Sequence, residues 1–330
     1  MTDPVHPWQT QAWARLCKAR LDDRLPHALL VAGPGGTGER AFADTLGQAL
    51  LCESDSGTAP CGQCAGCRQF RAGTHPDAVR VEPAEAGKAI SVEAVRSLIE
   101  RLALTGRGDR KVAIVDPAEA MTISAANSLL KTLEEPAGGS VLILVTRRSG
   151  RLPATIRSRC QRVTFGIPPR DVARAWLADR GVAQPEQALA RAGGAPLQAL
   201  EQAGADDAGG DVAGALLNVL EQGGVGPADV AACGRMSLAQ IVPLLASAVE
   251  DVVRLAHNPA AADLRHPEQR ERMARLARGL DVRSLFDYLD ELYRSVPGAS
   301  SSLRADLQFQ GLLADAASVR GAGRARKGGS

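Results

Sequence analysis

The chain has 330 residues, with 39 lysines and arginines against 37 aspartates and glutamates, and a formal net charge of +2 at pH 7. Domains usually contain about 100 to 200 residues, so this length predicts two or three domains. The near-neutral charge, with only three Trp, two Tyr and five Phe, argues against a dedicated nucleic-acid binder, which normally needs a basic face or stacking platforms. A weak DNA contact inside a larger assembly stays compatible with it.

Apolar runs in the chain are short. Those such as VLILV at 141–145 fall far short of the roughly 20 residues that a membrane-spanning helix needs. The N-terminal MTDPVHPW has no signal-peptide pattern, so a cytosolic location without membrane contact is expected. In that reducing compartment the seven cysteines are not expected to form structural disulfides, and a close cluster of them indicates metal or redox chemistry.

The first half of the chain alternates short β-branched runs with helical patterns. Strands are predicted for HALLVA (27–32), VRVE (79–82), KVAIVD (111–116) and VLILVT (141–146). Helices are predicted over 91–104, with Ser91 as N-cap, and over 127–136, closed by Pro136. Strands separated by helices imply a parallel sheet with helices on its faces.

The second half shows only helical patterns. Helices are predicted over 170–179, 184–192, 211–222, 237–257, 267–279, 281–295 and 302–319. GADDAGG (204–210) has the composition of a linker, and the last residues, 321–330, have too little apolar surface to pack and are expected to be disordered. The pattern therefore predicts an α/β domain, a small helical domain and a larger helical bundle.

The first predicted strand leads into GPGGTGER, from Gly33 to Arg40, which has the glycine frame of a phosphate-binding loop. Gly33 and Gly38 keep the spacing, but Glu39 and Arg40 replace the lysine that neutralises phosphate and the hydroxyl that holds magnesium. A unit charge about 4 Å away contributes on the order of 4 kcal/mol at an effective dielectric near 20, so glutamate replaces an attraction by a comparable repulsion. Loss of ATP binding is expected; a plain glycine-rich turn and residual nucleotide binding are the alternatives.

The end of the predicted strand KVAIVD agrees with that interpretation. Asp116 occupies the position of a magnesium-binding aspartate, but Pro117 follows where an active ATPase carries a glutamate that activates water. Proline has no side-chain base, so this second part of the site is also predicted to be inactive.

Four of the cysteines lie within sixteen residues in the pattern C-x8-C-x2-C-x2-C; they are Cys52, Cys61, Cys64 and Cys67. Such closely spaced thiolates, separated by glycine-rich turns, suit tetrahedral Zn²⁺, and four sulfur ligands leave no open position for catalysis. A structural zinc site is predicted, with an iron–sulfur cluster and unligated thiols as alternatives. Arg68 and Arg71 lie nearby and are expected to offset the negative charge of the centre.

The remaining cysteines, Cys17, Cys160 and Cys233, stand apart from this cluster and are interpreted as small buried residues. His75, in THPD, could serve as a metal ligand. Four thiolates already complete a tetrahedral shell, so a role in a turn or cap is predicted instead.

Five motifs follow one another along the chain: HALLVAGPGGTGE, the cysteine cluster, GTHPD (73–77), NSLLKTLEEP (127–136) and TIRSRC (155–160). In this order they resemble the delta-prime family of bacterial DNA polymerase III subunits, within the AAA+ clamp-loader family. The match is dense from about residue 5 to 170 and thin beyond. The resemblance implies an α/β P-loop NTPase-like, RecA-like domain over 1–167 that contains a zinc-binding module (52–67), a small helical lid over 168–205 and an all-α collar over 206–320.

The resemblance also implies how such a chain acts. In that family Ser158, Arg159 and Cys160 form an SRC motif, whose arginine reaches the ATP site of the adjacent subunit; such an arginine is worth about 10³ to 10⁵ in rate in other NTPases. Thr146 matches the sensor 1 position, and Leu197 stands where active relatives carry the sensor 2 arginine. The chain is thus expected to bind no ATP and to be no enzyme alone, but a subunit of a DNA-directed DNA polymerase holoenzyme.

The partners that the resemblance implies are gamma/tau-type ATPase subunits and a delta subunit in a hetero-pentameric ring, the sliding clamp, and primed DNA through the complex. Two other functions stay open on the residues alone. One is an autonomous AAA+ ATPase with an unusual loop. The other is a zinc-containing nucleic-acid adaptor, which the near-neutral charge disfavours.

Overall fold

The structure is a computed structural model that describes residues 5–54, 59–85, 87–103, 108, 110–206, 211–234, 236–295 and 305–327. The chain divides into two compact units, Met1–Val172 and Ala173–Ser330. Within the described ranges, none of the helices has the length and apolar character that crossing a membrane requires.

A five-stranded sheet forms the centre of the first unit. Its strands are β1 (Ala28–Ala32), β2 (Ala78–Val81), β3 (Lys111–Val115), β4 (Ser140–Thr146) and β5 (Gln161–Thr164). They lie in the order β2-β3-β4-β1-β5, and every neighbouring pair is parallel. Four strands were predicted, and β5 is added at the edge. Its residues, QRVT, include a single buried side chain, so it lacks the apolar run by which the other strands were recognised.

Helices cover both faces of this sheet. They are α1 (Thr10–Leu21), α2 (Glu39–Leu50), α3 (Ala65–Arg71), α4 (Val92–Ala103), α5 (Ile123–Glu134) and the short α6 (Ala154–Arg157). The hydroxyl of Ser91 accepts a hydrogen bond from the backbone N–H of Ala94 at 3.3 Å, which confirms the predicted N-cap of α4. Pro136 lies just beyond α5, as predicted.

The side chains of β1 alternate between two apolar layers, as successive residues of a strand must. Leu30 packs in the layer with the buried residues of α4 and α5, and Leu29 packs in the layer with α1 and α2. In the second layer Phe42 of α2 is fully buried, and its ring meets those of Trp13 and Phe165 edge to face, with centroids 5.7 and 4.8 Å apart. This packing fixes α2, and therefore the loop that precedes it.

The second unit is built from helices in its described part, as the sequence predicted. They are α7 (Arg170–Ala178), which begins just before the boundary, α8 (Pro185–Arg191), α9 (Pro196–Asp206), α10 (Val212–Gln222), α11 (Pro227–Ala231), α12 (Leu238–His257), α13 (Arg270–Ala277), α14 (Val282–Ser295) and α15 (Ala305–Lys327). Buried residues of α10, α12, α13, α14 and α15 share one apolar core. The predicted lid and collar segments both fall largely in this unit, and their separation into two domains stays a prediction.

Two segments of the second unit differ from their predicted conformation. Helix α9 continues to Asp206, so the first three residues of the predicted linker 204–210 are helical, and 207–210 lie outside the described residues. Helix α15 continues to Lys327, so the predicted disordered tail is wrong for 321–327, while 328–330 lie outside the described residues. Alanine, arginine and lysine have high helix propensity, which extends α15 into a segment that has little apolar surface.

Candidate functional site

The glycine loop lies between the carboxyl end of β1 and the start of α2. The N–H of Gly33 donates to the carbonyl of Thr146 at 3.2 Å, which anchors the loop to the end of β4. Gly35, Gly36 and Gly38 have φ angles of 83°, 72° and 91°, in the left-handed region that favours glycine. The predicted glycine frame is therefore a real structural requirement.

The carboxylate of Glu39 lies inside this loop. The side chain is 4% exposed, and its Oε1 accepts a hydrogen bond from the hydroxyl of fully buried Thr37. A Cβ atom placed on Gly33 would lie only 1.9 Å from the same Oε1, so the carboxylate is packed directly against the backbone of Gly33. Glu39 is also the first residue of α2, where the positive end of the helix dipole favours an anion. An acidic group of the chain thus fills the loop.

Arg40 turns the other way, toward Asp116. Its Nη2 lies 2.5 Å from Oε1 of Glu82, and its Nη1 lies 3.5 Å from Oδ2 of Asp116. Burial raises the pKa of Asp116 above its usual range, and the charges of Arg40 and Arg147 act against that rise. The aspartate predicted by position to bind magnesium is therefore paired with a cation of the same chain. Glu82, the residue that follows β2, completes this group of charges, and the sequence did not predict its part in it.

The segment before α1 covers the loop from outside. Nε1 of Trp8 donates to the carbonyl of Thr37 at 2.8 Å, and Nε2 of Gln9 donates to the carbonyls of Thr37 and Gly38 at 2.9 and 3.1 Å. The ring of His6 stands where a side chain on Gly38 would be. Sequence reasoning missed these residues, because three side chains in a short polar segment carry no pattern of their own.

The end of β4 is held by local hydrogen bonds. Thr146 is fully buried, and its hydroxyl accepts from the N–H of Arg148 at 3.1 Å, which closes a turn. Oε1 of Glu119 accepts from the N–H of Arg147 at 3.1 Å. Glu119 was not predicted from the sequence, because its position three residues beyond Asp116 matches no motif. Both contacts brace the backbone beside the glycine loop.

The four cysteines converge as predicted. Their sulfur atoms all lie within 4.8 Å of one another; Cys52 and Cys64 are 3.9 Å apart, and Cys61 and Cys67 are 4.0 Å apart. Backbone N–H groups point at three of the sulfurs, as thiolate ligands require. These atoms could hold a metal ion.

The pKa values of the cluster's thiols differ, because their surroundings differ. The backbone N–H groups of Gln63 and Cys64 lower the pKa of the exposed Cys61 thiol to about 6, whereas burial raises that of Cys67 to about 12. Arg68 donates to the carbonyl of Gln63 at 2.5 Å, and Arg71 donates to that of Gly62. Both arginines therefore lie beside the cluster, where they hold the turn between its cysteines.

The other predicted roles of cysteine and histidine are confirmed. Cys17, Cys160 and Cys233 are buried, and burial raises the pKa of the Cys160 thiol to about 11. Nδ1 of His75 accepts from the N–H of Asp77 at 3.1 Å, which is a turn hydrogen bond within its own motif.

The SRC residues follow α6 and precede β5. The guanidinium of Arg159 contacts Glu134, with Nε 2.8 Å and Nη2 2.5 Å from Oε1, and its Nη1 donates to the carbonyl of Thr155 at 3.1 Å. Ser158 donates its hydroxyl to the same carbonyl, and Cys160 is buried. Arg159 is therefore the member of the motif that offers a charged group to the surface.

Leu197, at the predicted sensor 2 position, lies half-buried in the first turn of α9.

The residues of the glycine loop and Arg159 lie at opposite ends of the strands. The loop, Glu39 and Asp116 follow the carboxyl ends of β1 and β3, whereas Arg159 lies just before Gln161, which pairs with Leu29 at the start of β1. Because the strands are parallel, their carboxyl ends all lie on one side and their amino ends on the other. The structure thus brings the loop residues together and keeps Arg159 away from the chain's own loop.

A parallel sheet in this order, with a glycine loop between β1 and α2 and with a helical unit later in the chain, defines an AAA+ type of P-loop fold. Residues 8–168 match the model of the family described as DNA polymerase III, delta subunit. The matched residues all lie within the first unit of the chain.

Named relatives agree with the family. DNA polymerase III subunit delta' of Pseudomonas aeruginosa is 41% identical over 200 residues, which cover 59% of this chain and 60% of that protein. The subunit delta' of Escherichia coli is 39% identical over 185 residues, covering 56% and 55%. The chain thus spans less than two thirds of the length of these relatives. A Thermotoga maritima structure described as a DNA polymerase III gamma subunit-related protein is 16% identical, covers 94% of this chain and 99% of its own, and has a TM-score of 0.39.

Proposed function

We propose that the chain is a non-catalytic delta-prime-type subunit of a bacterial DNA polymerase III clamp loader. It acts in the cytoplasm, in a ring with gamma/tau-type ATPase subunits and a delta subunit, and helps to place a sliding clamp on primed DNA. It hydrolyses no nucleotide itself but supplies Arg159 to the ATP site of a neighbouring subunit. The predicted lid, 168–205, and collar, 206–320, would carry the assembly of the ring.

The observation that carries this proposal is the environment of Arg159. The guanidinium lies at the amino ends of the strands, away from the chain's own glycine loop, and the side chain of Arg159 is 36% exposed. A guanidinium has five N–H donors, of which three are engaged by Glu134 and Thr155. Among the described residues nothing engages the other two donors, so they can meet a phosphoryl oxygen from outside the chain, as an arginine acting in trans requires.

The chain's own loop supports the non-catalytic part of the proposal. A triphosphate needs the interior of the glycine loop free and a positive charge beside it. Here the carboxylate of Glu39 lies against Gly33, and the cation that follows, Arg40, is engaged by Glu82 and Asp116. Nucleotide would have to displace an anion and break an ion-pair network, and Pro117 offers no base to activate water.

The metal that suits the cysteine cluster is zinc. Four ligands about 2.3 Å from a tetrahedral Zn²⁺ have sulfurs roughly 3.8 Å apart. The sulfur pairs of 3.9 and 4.0 Å fit that geometry, and thiolates are ligands that Zn²⁺ prefers. All four positions would be filled by the protein, so the proposed role is structural. Nε2 of Gln48 donates to the carbonyl of Cys67 at 3.3 Å and ties the cluster to α2.

The test is a reconstituted clamp loader assayed for DNA-stimulated ATP hydrolysis. Arg159→Ala is expected to leave assembly intact and to lower turnover on the order of 10³-fold, as the loss of other arginine fingers does. Arg162→Ala is the matched control, because Arg162 is also exposed and its side chain has no ion pair within the described part of the chain. Equal turnover by the Arg159 variant and the wild type would refute the proposal.

A further inference from the structure

Glu134 contributes the only carboxylate that the described residues place on Arg159. A single oxygen, Oε1, accepts from both Nε and Nη2, so it grips one edge of the planar guanidinium. The carbonyl of Thr155 holds Nη1. Contacts on two sides of a planar group fix its orientation as well as its position.

The location of Glu134 gives it no evident part in stabilising its own helix. It is the last residue of α5, and the negative end of a helix dipole disfavours a carboxylate there. The favourable partner for such a carboxylate is a cation outside the helix, and Arg159 supplies it. The pair therefore joins the end of α5 to the turn after α6.

The backbone on both sides of the pair is firmly held. Nε2 of His27 donates to the carbonyl of Leu133 at 2.9 Å, and the carbonyl of His27 accepts from the N–H of Leu142 at 2.7 Å. The residue before Glu134 is thereby tied to the starts of β1 and β4. On the other side, the N–H of Arg159 donates to the carbonyl of fully buried Ile156 at 3.1 Å. A positioning contact requires that the backbone of both residues be held rigidly.

We propose that Glu134 is a positioning residue for Arg159, a role that rests on the proposed action of Arg159 in trans. It holds the guanidinium by one edge and leaves two N–H donors directed at an acceptor from the neighbouring subunit, the phosphoryl group of its bound nucleotide. The side chains are 36% and 53% exposed, so the pair is weak in water and does not withhold the arginine from a more highly charged phosphate. Its effect is to restrict the rotamers that Arg159 samples.

The test compares Glu134→Ala with Glu135→Ala in the reconstituted complex. Glu135 is adjacent and exposed, and its side chain has no partner among the residues that the structure describes, so the control removes the same charge. Because exposed ion pairs are worth little, Glu134→Ala is expected to lower the kcat for ATP about two- to fivefold, with KM and the melting temperature of the complex unchanged. Glu134→Gln, which keeps an acceptor oxygen, should recover part of the loss.

A double-mutant cycle with Arg159→Ala isolates the contact. In the Arg159→Ala background, Glu134→Ala should cause no further loss of turnover. If Arg159→Ala itself has no effect, the proposed function fails. If Arg159→Ala lowers turnover but Glu134→Ala matches Glu135→Ala, raises turnover, or acts equally in both backgrounds, the function stands and the positioning role of Glu134 is refuted.

Discussion

Nη1 of Arg40 lies 3.5 Å from Oδ2 of Asp116, so a cation of the chain stands at the carboxylate that would face magnesium in a working P-loop site. One residue earlier, Glu39 places an anion inside the glycine loop. The cation of Arg40 thus takes the place of magnesium, and the anion of Glu39 takes the place of phosphate. A pocket whose charges are already compensated by its own side chains has little affinity for the ligand.

Nucleotide binding is the first quantity that this arrangement predicts. The isolated wild-type chain should show no heat of Mg·ATP binding in calorimetry. Glu39→Lys combined with Arg40→Thr empties the loop and restores the lysine and hydroxyl of a phosphate-binding loop, so measurable binding without hydrolysis is expected. Hydrolysis should stay absent because Pro117 is unchanged.

The control for that experiment makes the same two changes elsewhere. Glu135→Lys combined with Arg162→Thr alters charge identically at exposed positions and should leave the chain unable to bind Mg·ATP. Tight Mg·ATP binding by the wild type would show that the loop accommodates nucleotide despite Glu39, and would favour an autonomous ATPase.

Metal content is the second prediction. The purified chain should carry one zinc per molecule by elemental analysis, and Cys64→Ser should remove most of it. Cys160→Ala, a buried cysteine outside the cluster, should retain the metal. Since thiolate ligands compete with protons, zinc retention should fall as the pH is lowered. A metal-free wild type, prepared without chelator in zinc-containing medium, would contradict the assignment.

The third prediction concerns pH and His266 in the second unit. Nε2 of this buried ring lies 2.8 Å from the hydroxyl of Ser247, and burial lowers the pKa of His266 below its ordinary value of 6.5. The unfolded chain therefore binds this proton more readily than the folded one, so its contribution to stability is complete above pH 6.5 and is lost as the pH falls through the folded pKa. The charged groups that act on the ring are Glu268, Arg191, Asp211 and Arg265.

Urea unfolding at pH 7.5 and 5.5 tests this sign. His266→Gln keeps a hydrogen-bonding side chain that does not titrate, so it should reduce the loss of stability between the two pH values. His257→Gln is the control, because His257 is exposed and its Nδ1 donates to the carbonyl of Val253 in its own helix. The same pH dependence in the wild type and the His266 variant would contradict the prediction.

Stability of the first unit is the fourth prediction. Phe42 is fully buried between the rings of Trp13 and Phe165, so Phe42→Ala should destabilise the unit by about 3 to 5 kcal/mol, measured by denaturant unfolding. Leu21→Ala, at a side chain that is 65% exposed in the same unit, should cost far less. Comparable losses for the two variants would mean that this aromatic group is not central to the core.

Local patterns were sufficient for much of this molecule. The glycine spacing of 33–38, the cysteine spacing of 52–67 and the apolar strands β1, β3 and β4 are each encoded within a few residues, because turns, chelating ligands and buried strands impose their own short-range rules. The mostly exposed strand β5 and the helical continuation of α15 were missed, since neither has an apolar run that distinguishes it.

The sequence by itself determined that Glu39 and Arg40 could not act as lysine and hydroxyl, because charge and functional group are properties of single residues. Only the tertiary structure decided where those side chains went. Glu39 folds against Gly33, Arg40 reaches Glu82 and Asp116, and Arg159 meets Glu134 across 25 residues of chain. Such pairings depend on how strands and helices stack, and a parallel sheet brings together residues that no local pattern connects.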